Sequence, residues 1–312
     1  MRRTTIGPGT VTSQRPGRPA TRRWARRLAV AAGLLALCAL PAGAADATGT
    51  GPGRPHRPTS LYVSDYGNNR VVVLPTDGGA QTTLPFEDLV RPTGMAWDSE
   101  GRLYVSDTGN NRVVVLAADG GSQSTVPTEG LSRPLGLAVA RDGDLLVADS
   151  FNDRVVRIAA GGGGQTTVRT SGLLHPWGLA VDGAGNLFVA DFVNDRVVRV
   201  AADGSGQSTV PTLGLSQPTG LALNSAGDLY IADSGNDRVV KVASGDGRQT
   251  TVDTDDLADP LGLALDGCGG LYIADGFHNR VVRVRETGGG QTTVPSTGLN
   301  TPTGLAFPPL RR

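Results

Sequence analysis

Six aspartates, Asp65, Asp107, Asp149, Asp191, Asp233 and Asp275, follow one another at a constant step of 42 residues, and no insertion or deletion breaks it. Six arginines (Arg70, Arg112, Arg154, Arg196, Arg238 and Arg280), six glutamines from Gln81 to Gln291 and six prolines from Pro92 to Pro302 keep the same step. A chain with this period is one supersecondary unit repeated, because a unit this small cannot bury its apolar surface alone and must stack on its neighbours. The repeat therefore decides the architecture before any single motif is read.

Within a unit, four short apolar runs alternate with turn residues. In the fourth unit they cover 178–181, 186–190, 196–200 and 207–210, each rich in Val, Leu or Ala and bounded by Gly, Asn and Asp. Runs of this length between such punctuators are strands, and none is long enough for a helix. Four antiparallel strands per unit predict an all-β, six-bladed β-propeller. The 45 glycines and 20 prolines fit this and exclude a long-helix protein. The innermost strands crowd around an axis, a role the sequence suggests for Ala96, Ala138, Ala180, Ala222, Ala264 and Ala306. The array begins with a second strand at 61–65 and ends with a first strand at 302–307, so the C-terminal strand is predicted to complete the N-terminal blade and close the ring.

The formal net charge of zero hides a segregation. Eight arginines and no acid lie in residues 1–44, which leaves the rest of the chain at −8. Arg22-Arg23-Trp24-Ala25-Arg26-Arg27, then 13 apolar residues over 28–40 and Ala42-Gly43-Ala44, make the three parts of an export signal, of the Sec or twin-arginine type. The apolar run falls short of the roughly 20 residues of a membrane-spanning helix, so no permanent span is expected. The domain plan is thus a signal peptide over 1–44, a flexible linker over 45–59, the propeller over 60–307 and a tail over 308–312, in a secreted protein.

Pro-x-Gly-Leu-Ala-Val-Asp at 176–182, Gly-x-Leu-Phe-Val-Ala-Asp at 185–191 and Asn-x-Arg-Val-Val at 152–156 have counterparts in all six units, and the pattern resembles the NHL repeat. The linker Gln-Thr-Thr-Val-Pro at 291–295, followed by Gly298-Leu299, is similar to the extracellular sensor propeller of mycobacterial PknD-type serine/threonine kinases. The kinase parts of that family, a Gly-rich loop with its paired Lys and a His-Arg-Asp loop, have no counterpart here, and Lys241 is the one lysine. The resemblance implies a binding or sensing role. Some intracellular NHL proteins bind RNA through a basic surface, but an acidic, exported propeller points away from nucleic acid.

Six internal copies act as their own control, since a residue in every copy serves the blade and a residue in one copy is the better functional candidate. The repeated Asp is expected to cap its turn through local backbone hydrogen bonds, the Asn to adopt the unusual turn geometry, and the Arg to pair with acid at the blade edge. The loop entering each first strand and the loop between second and third strands are expected to open on one face. There Phe151, His175, Trp177 and Phe192 fall in two adjacent units of a chain with 4% aromatics, and Arg133, Tyr66, Phe277 and His278 occupy equivalent variable positions. Aromatics clustered within a polar border mark a binding surface.

The ligand expected there is an extracellular protein, a peptide or a cell-wall glycan, taken by a monomer without metal or cofactor. The alternative, suggested by propeller lactonases and lyases, is a metal-dependent lyase or lactonase with a site at the central opening, built from His175, Asp259 and His278. Cys268 falls in a turn on the opposite face, where it is either a tolerated turn residue or a leftover thiol that pairs between chains.

Overall fold

The computed structural model describes residues 59–162 and 164–309. The expected signal peptide, the linker up to residue 58 and the last three residues of the tail lie outside the described residues. Six four-stranded sheets form the predicted β-propeller, and every neighbouring pair of strands is antiparallel. Blade 1 comprises Ser60–Asp65, Arg70–Pro75 and Thr82–Thr83, with Pro302–Ala306 as its innermost strand. Blades 2 to 6 cover 92–125, 134–167, 176–209, 218–251 and 260–293 in order. Tyr62 pairs with Ala306 and Val63 with Leu305, so the ring closes as the sequence predicts. Among the described residues no helix is long and apolar enough to cross a membrane.

The apolar core is divided into six wedges, each between two adjacent blades. Ala138, Leu146 and Ala148 of blade 3 pack with Leu179, Val189 and Val198 of blade 4. Phe188 and Ala190 of blade 4 pack with Leu221, Ile231 and Val240 of blade 5. A blade thus buries both faces only when both neighbours are present. The wedges are filled by Val, Leu and Ala because the two sheets converge toward the axis.

The residue at the axis is glycine, which corrects the expectation placed on the alanines. A Cβ on Gly136 would run into the carbonyl oxygen of Trp177, and one on Gly178 into that of Thr219; the contacts continue around the ring to Gly304 and Thr93. Each innermost strand carries a register shift beside its glycine, as between Pro176 and Leu179, that lets the backbone lean onto the next blade. The alanines sit two residues further along, at the wedges between blades, as Ala96 does against Leu137 and Val147.

The repeated glutamines clasp the outer edge. The Gln123 side chain donates to the Glu87 carbonyl at 3.2 Å and accepts from the Glu87 N–H at 2.9 Å, tying blade 2 to the loop that leaves blade 1. Gln81 makes the same pair of bonds to Thr297, so the clasp also joins the last blade to the first.

Candidate ligand-binding face

The repeated aspartates build the frame of one face, and they do so differently from the expectation. Asp149 is fully buried; its Oδ1 accepts the backbone N–H of Ser132 at 2.7 Å, 17 residues earlier, while Oδ2 accepts from Asn152 at 2.8 Å and Arg154 Nε at 2.7 Å. The aspartate does not cap the short turn that follows it. It fastens the loop entering the first strand to the loop between the second and third strands, and it pairs with the arginine of its own hairpin as expected. The positive-φ residue of that hairpin is the Asn or Asp just before the arginine, as at Asn111 and Asp237.

That residue reaches into the next blade. Asn111 accepts the N–H of Arg133, and Asp237 accepts the N–H of Asp259, both at 2.8 Å. Arg133 and Asp259 each precede the proline that starts a first strand, and each holds a positive φ, +49° and +53°. A non-glycine residue in this conformation is costly and persists where surrounding bonds impose it. All six entry positions (Arg91, Arg133, His175, Gln217, Asp259 and Thr301) share the strain, so six otherwise equivalent side chains are presented on one face.

Inside this face lies a cavity of about 320 Å³ lined by Tyr66, Arg133, Phe151, Trp177 and Asp259 over an apolar floor that includes Leu135 and Leu261. An axial space of about 100 Å³, bordered by the six glycines, is also lined by Trp177. The Arg133 guanidinium stands 4.7 Å from the centre of the Phe151 ring, and Phe151 stacks on His175 at 4.8 Å. Trp177 leans on Phe192 at 5.2 Å. Tyr66, Arg133, Phe151 and Trp177 therefore line the cavity, with His175 and Phe192 packed against them. Phe151 remains 50% exposed, a large ring left open to solvent.

Phe277 and His278 do not line the cavity. Phe277 is 78% exposed, and His278 sets Nδ1 3.0 Å from the buried Asp275, taking the place of the repeat's asparagine. Among the described residues no three His, Cys, Asp or Glu side chains converge as metal ligands. The donor set His175, Asp259 and His278 does not fit a metal site, so no metal-dependent step is derived from it.

Asp259 was visible in the sequence only as one member of that set. Its more informative signal is that it is the one acid among the six entry residues. Burial pushes its carboxyl above the usual carboxylate range, and the nearby charges of Asp237 and Asp275 add to the effect. Among the described residues its carboxylate has no hydrogen-bond donor and no cation.

The NHL repeat matches residues 89–116 and 215–242, in the second and fifth units. Two of the six units thus match the NHL repeat. No curated protein matches the chain. Among solved structures, this propeller is similar to a chain of a nidogen/laminin complex, with a TM-score of 0.70 and 20% identity over 79% of this chain and 97% of that one. It is also similar to a streptogramin B lyase (TM-score 0.63, 16% identity, 78% of this chain and 82% of that one). Virginiamycin B lyase from Staphylococcus aureus has a TM-score of 0.60 and 18% identity, covering 81% and 89%. At these identities the likeness is one of fold.

Proposed function

We propose that this NHL propeller is a secreted, monomeric and non-catalytic recognition module that takes an extracellular protein, peptide or cell-wall glycan on the face bearing Trp177. The observation that carries this reading is the cavity in which Tyr66, Phe151 and Trp177 meet from three different blades. Aromatic side chains supply large contact area at low entropic cost and are enriched where binding energy concentrates. The export signal supports an extracellular ligand, and the resemblance of the linkers to PknD-type sensor propellers supports a sensing role. The fold likeness to nidogen in its laminin complex supports a protein or peptide partner. Among the described residues the absence of a converging donor set weighs against the metal-dependent lyase or lactonase alternative.

Capture of envelope or culture components on the mature protein, followed by titration of each against wild type and Trp177→Ala, tests the reading. A ligand of this face should quench or shift the tryptophan emission and lose about tenfold or more in affinity in the variant. Equal affinity for both proteins removes this face from the proposal.

A further inference from the structure

We propose that the cavity selects a zwitterion, namely a short peptide with free termini, whose carboxylate meets Arg133 and whose ammonium meets Asp259. The inference rests on the recognition reading above and names the ligand chemistry of the same site.

Arg133 and Asp259 occupy the same repeat position in blades 3 and 6, three steps apart in a ring of six, so they face one another across the axis. Both line one cavity. Among the described residues neither side chain has an ion-pair or hydrogen-bond partner; the guanidinium is only stacked on Phe151. Other half-buried charges are paired, as Lys241 is with Asp228 at 2.7 Å and Arg102 with Asp98 at 2.6 Å. Two opposite charges left unpaired in one partly desolvated space carry an unmet electrostatic demand, and they form no ion pair with each other.

A ligand that meets both must carry opposite charges at its two ends. A free amino acid carries its ammonium and carboxylate on a single carbon, whereas Arg133 and Asp259 belong to opposite blades of the ring. A peptide separates its two terminal charges by about 3.3–3.6 Å more with each added residue, so a short peptide spreads them where a single amino acid does not. The volume of about 320 Å³ lies at the small end of ligand pockets, which run from about 300 to 1,000 Å³. Tyr66, Phe151 and Trp177 line the same cavity with aromatic surface, and Leu135 and Leu261 add apolar lining for the peptide's side chains. Arg presents a planar fork that matches a carboxylate in two bonds.

The test titrates a tripeptide library with free termini into the mature protein, in parallel with the same library N-acetylated, C-amidated or blocked at both ends. Free peptides should bind, and each single block should weaken binding by about tenfold or more. Asp259→Asn should become indifferent to N-acetylation while still sensing amidation, and Arg133→Gln the reverse. The blocked peptides leave the protein unaltered, so a folding defect in a variant does not remove the test. Equal binding of free and doubly blocked peptides that is lost in Trp177→Ala overturns the inference and keeps the recognition face. Binding by no peptide of the library also overturns the inference, whereas equal binding by wild type and Trp177→Ala overturns both.

Discussion

His278 sets Nδ1 3.0 Å from Oδ2 of Asp275, where the other five blades place an asparagine amide against the same carboxylate. Those asparagines also donate to the carbonyl of the neighbouring entry loop, as Asn152 does to Gly130 at 2.7 Å and Asn236 to Gly214 at 2.9 Å. His278 has no such second bond; its Nε2 lies 4.0 Å from the Asp256 carboxylate. His278→Asn should restore the bond to the Asp256 carbonyl and stabilise the protein by about 0.5–1.5 kcal/mol. Urea unfolding checks this, and a fall in stability would show that the imidazole contributes something the amide cannot.

The glycine ring predicts a sharp positional contrast. Gly178→Ala drives a methyl group into the Thr219 carbonyl and should cost about 3 kcal/mol or more, because the backbone it strikes cannot swing aside. Gly183 lies in an exposed turn with open space at its Cβ position, so Gly183→Ala should change stability by no more than about 0.5 kcal/mol. Comparable melting of the two variants would refute the close approach at the axis.

Ring closure should be cooperative. A chain ending at Thr301 loses the pairing of Tyr62 with Ala306 and Val63 with Leu305, and strips buried Leu305 from a wedge it shares with Leu61 and Tyr272. The expected loss is several kcal/mol, about 10 °C or more in Tm. Calorimetry reads this directly, and a melt like that of wild type would mean that blade 1 stands without its inner strand.

Asp259 gives a pH-dependent signature. Its folded-state carboxyl titrates above its unfolded one, so its contribution favours the fold below the unfolded pKa and is lost as pH rises through the folded pKa. The groups around it do not relieve it: Asp237 and Asp275 are carboxylates, and Asp275 already holds Arg280 and His278. Asp259→Asn should therefore raise Tm by about 1–3 °C near pH 7, with the gain vanishing toward about pH 3. A gain that persists at low pH would assign the effect to something other than charge.

Most of the architecture is written in the sequence at short range. The 42-residue step, the strand-length runs and the misplaced last strand lead to the closed ring that the pairing of Tyr62 with Ala306 completes. Where the sequence reading went astray, the deciding contact was remote along the chain. Alanine and glycine both look small, and only the carbonyl of the next blade shows that Gly136 must lack a Cβ. Asp149 reads as a turn cap because the N–H it accepts, that of Ser132, belongs to another loop. The candidate site was legible as an aromatic anomaly at Phe151 and Trp177, but the opposition of Arg133 and Asp259 needed the ring to be folded.

The antiparallel pairing of the first and last strands has a mechanical consequence. Ser60 and Ala306 stand at the same end of their pair, because Tyr62 lies opposite Ala306 while Asp65 lies opposite Pro302. Tension applied through the two ends of the propeller would peel this pair apart one hydrogen bond after another, where a shearing load would have to break them together. The seam of the ring is therefore its weak point under force, and pulling on the chain would open blade 1 before any of the other five.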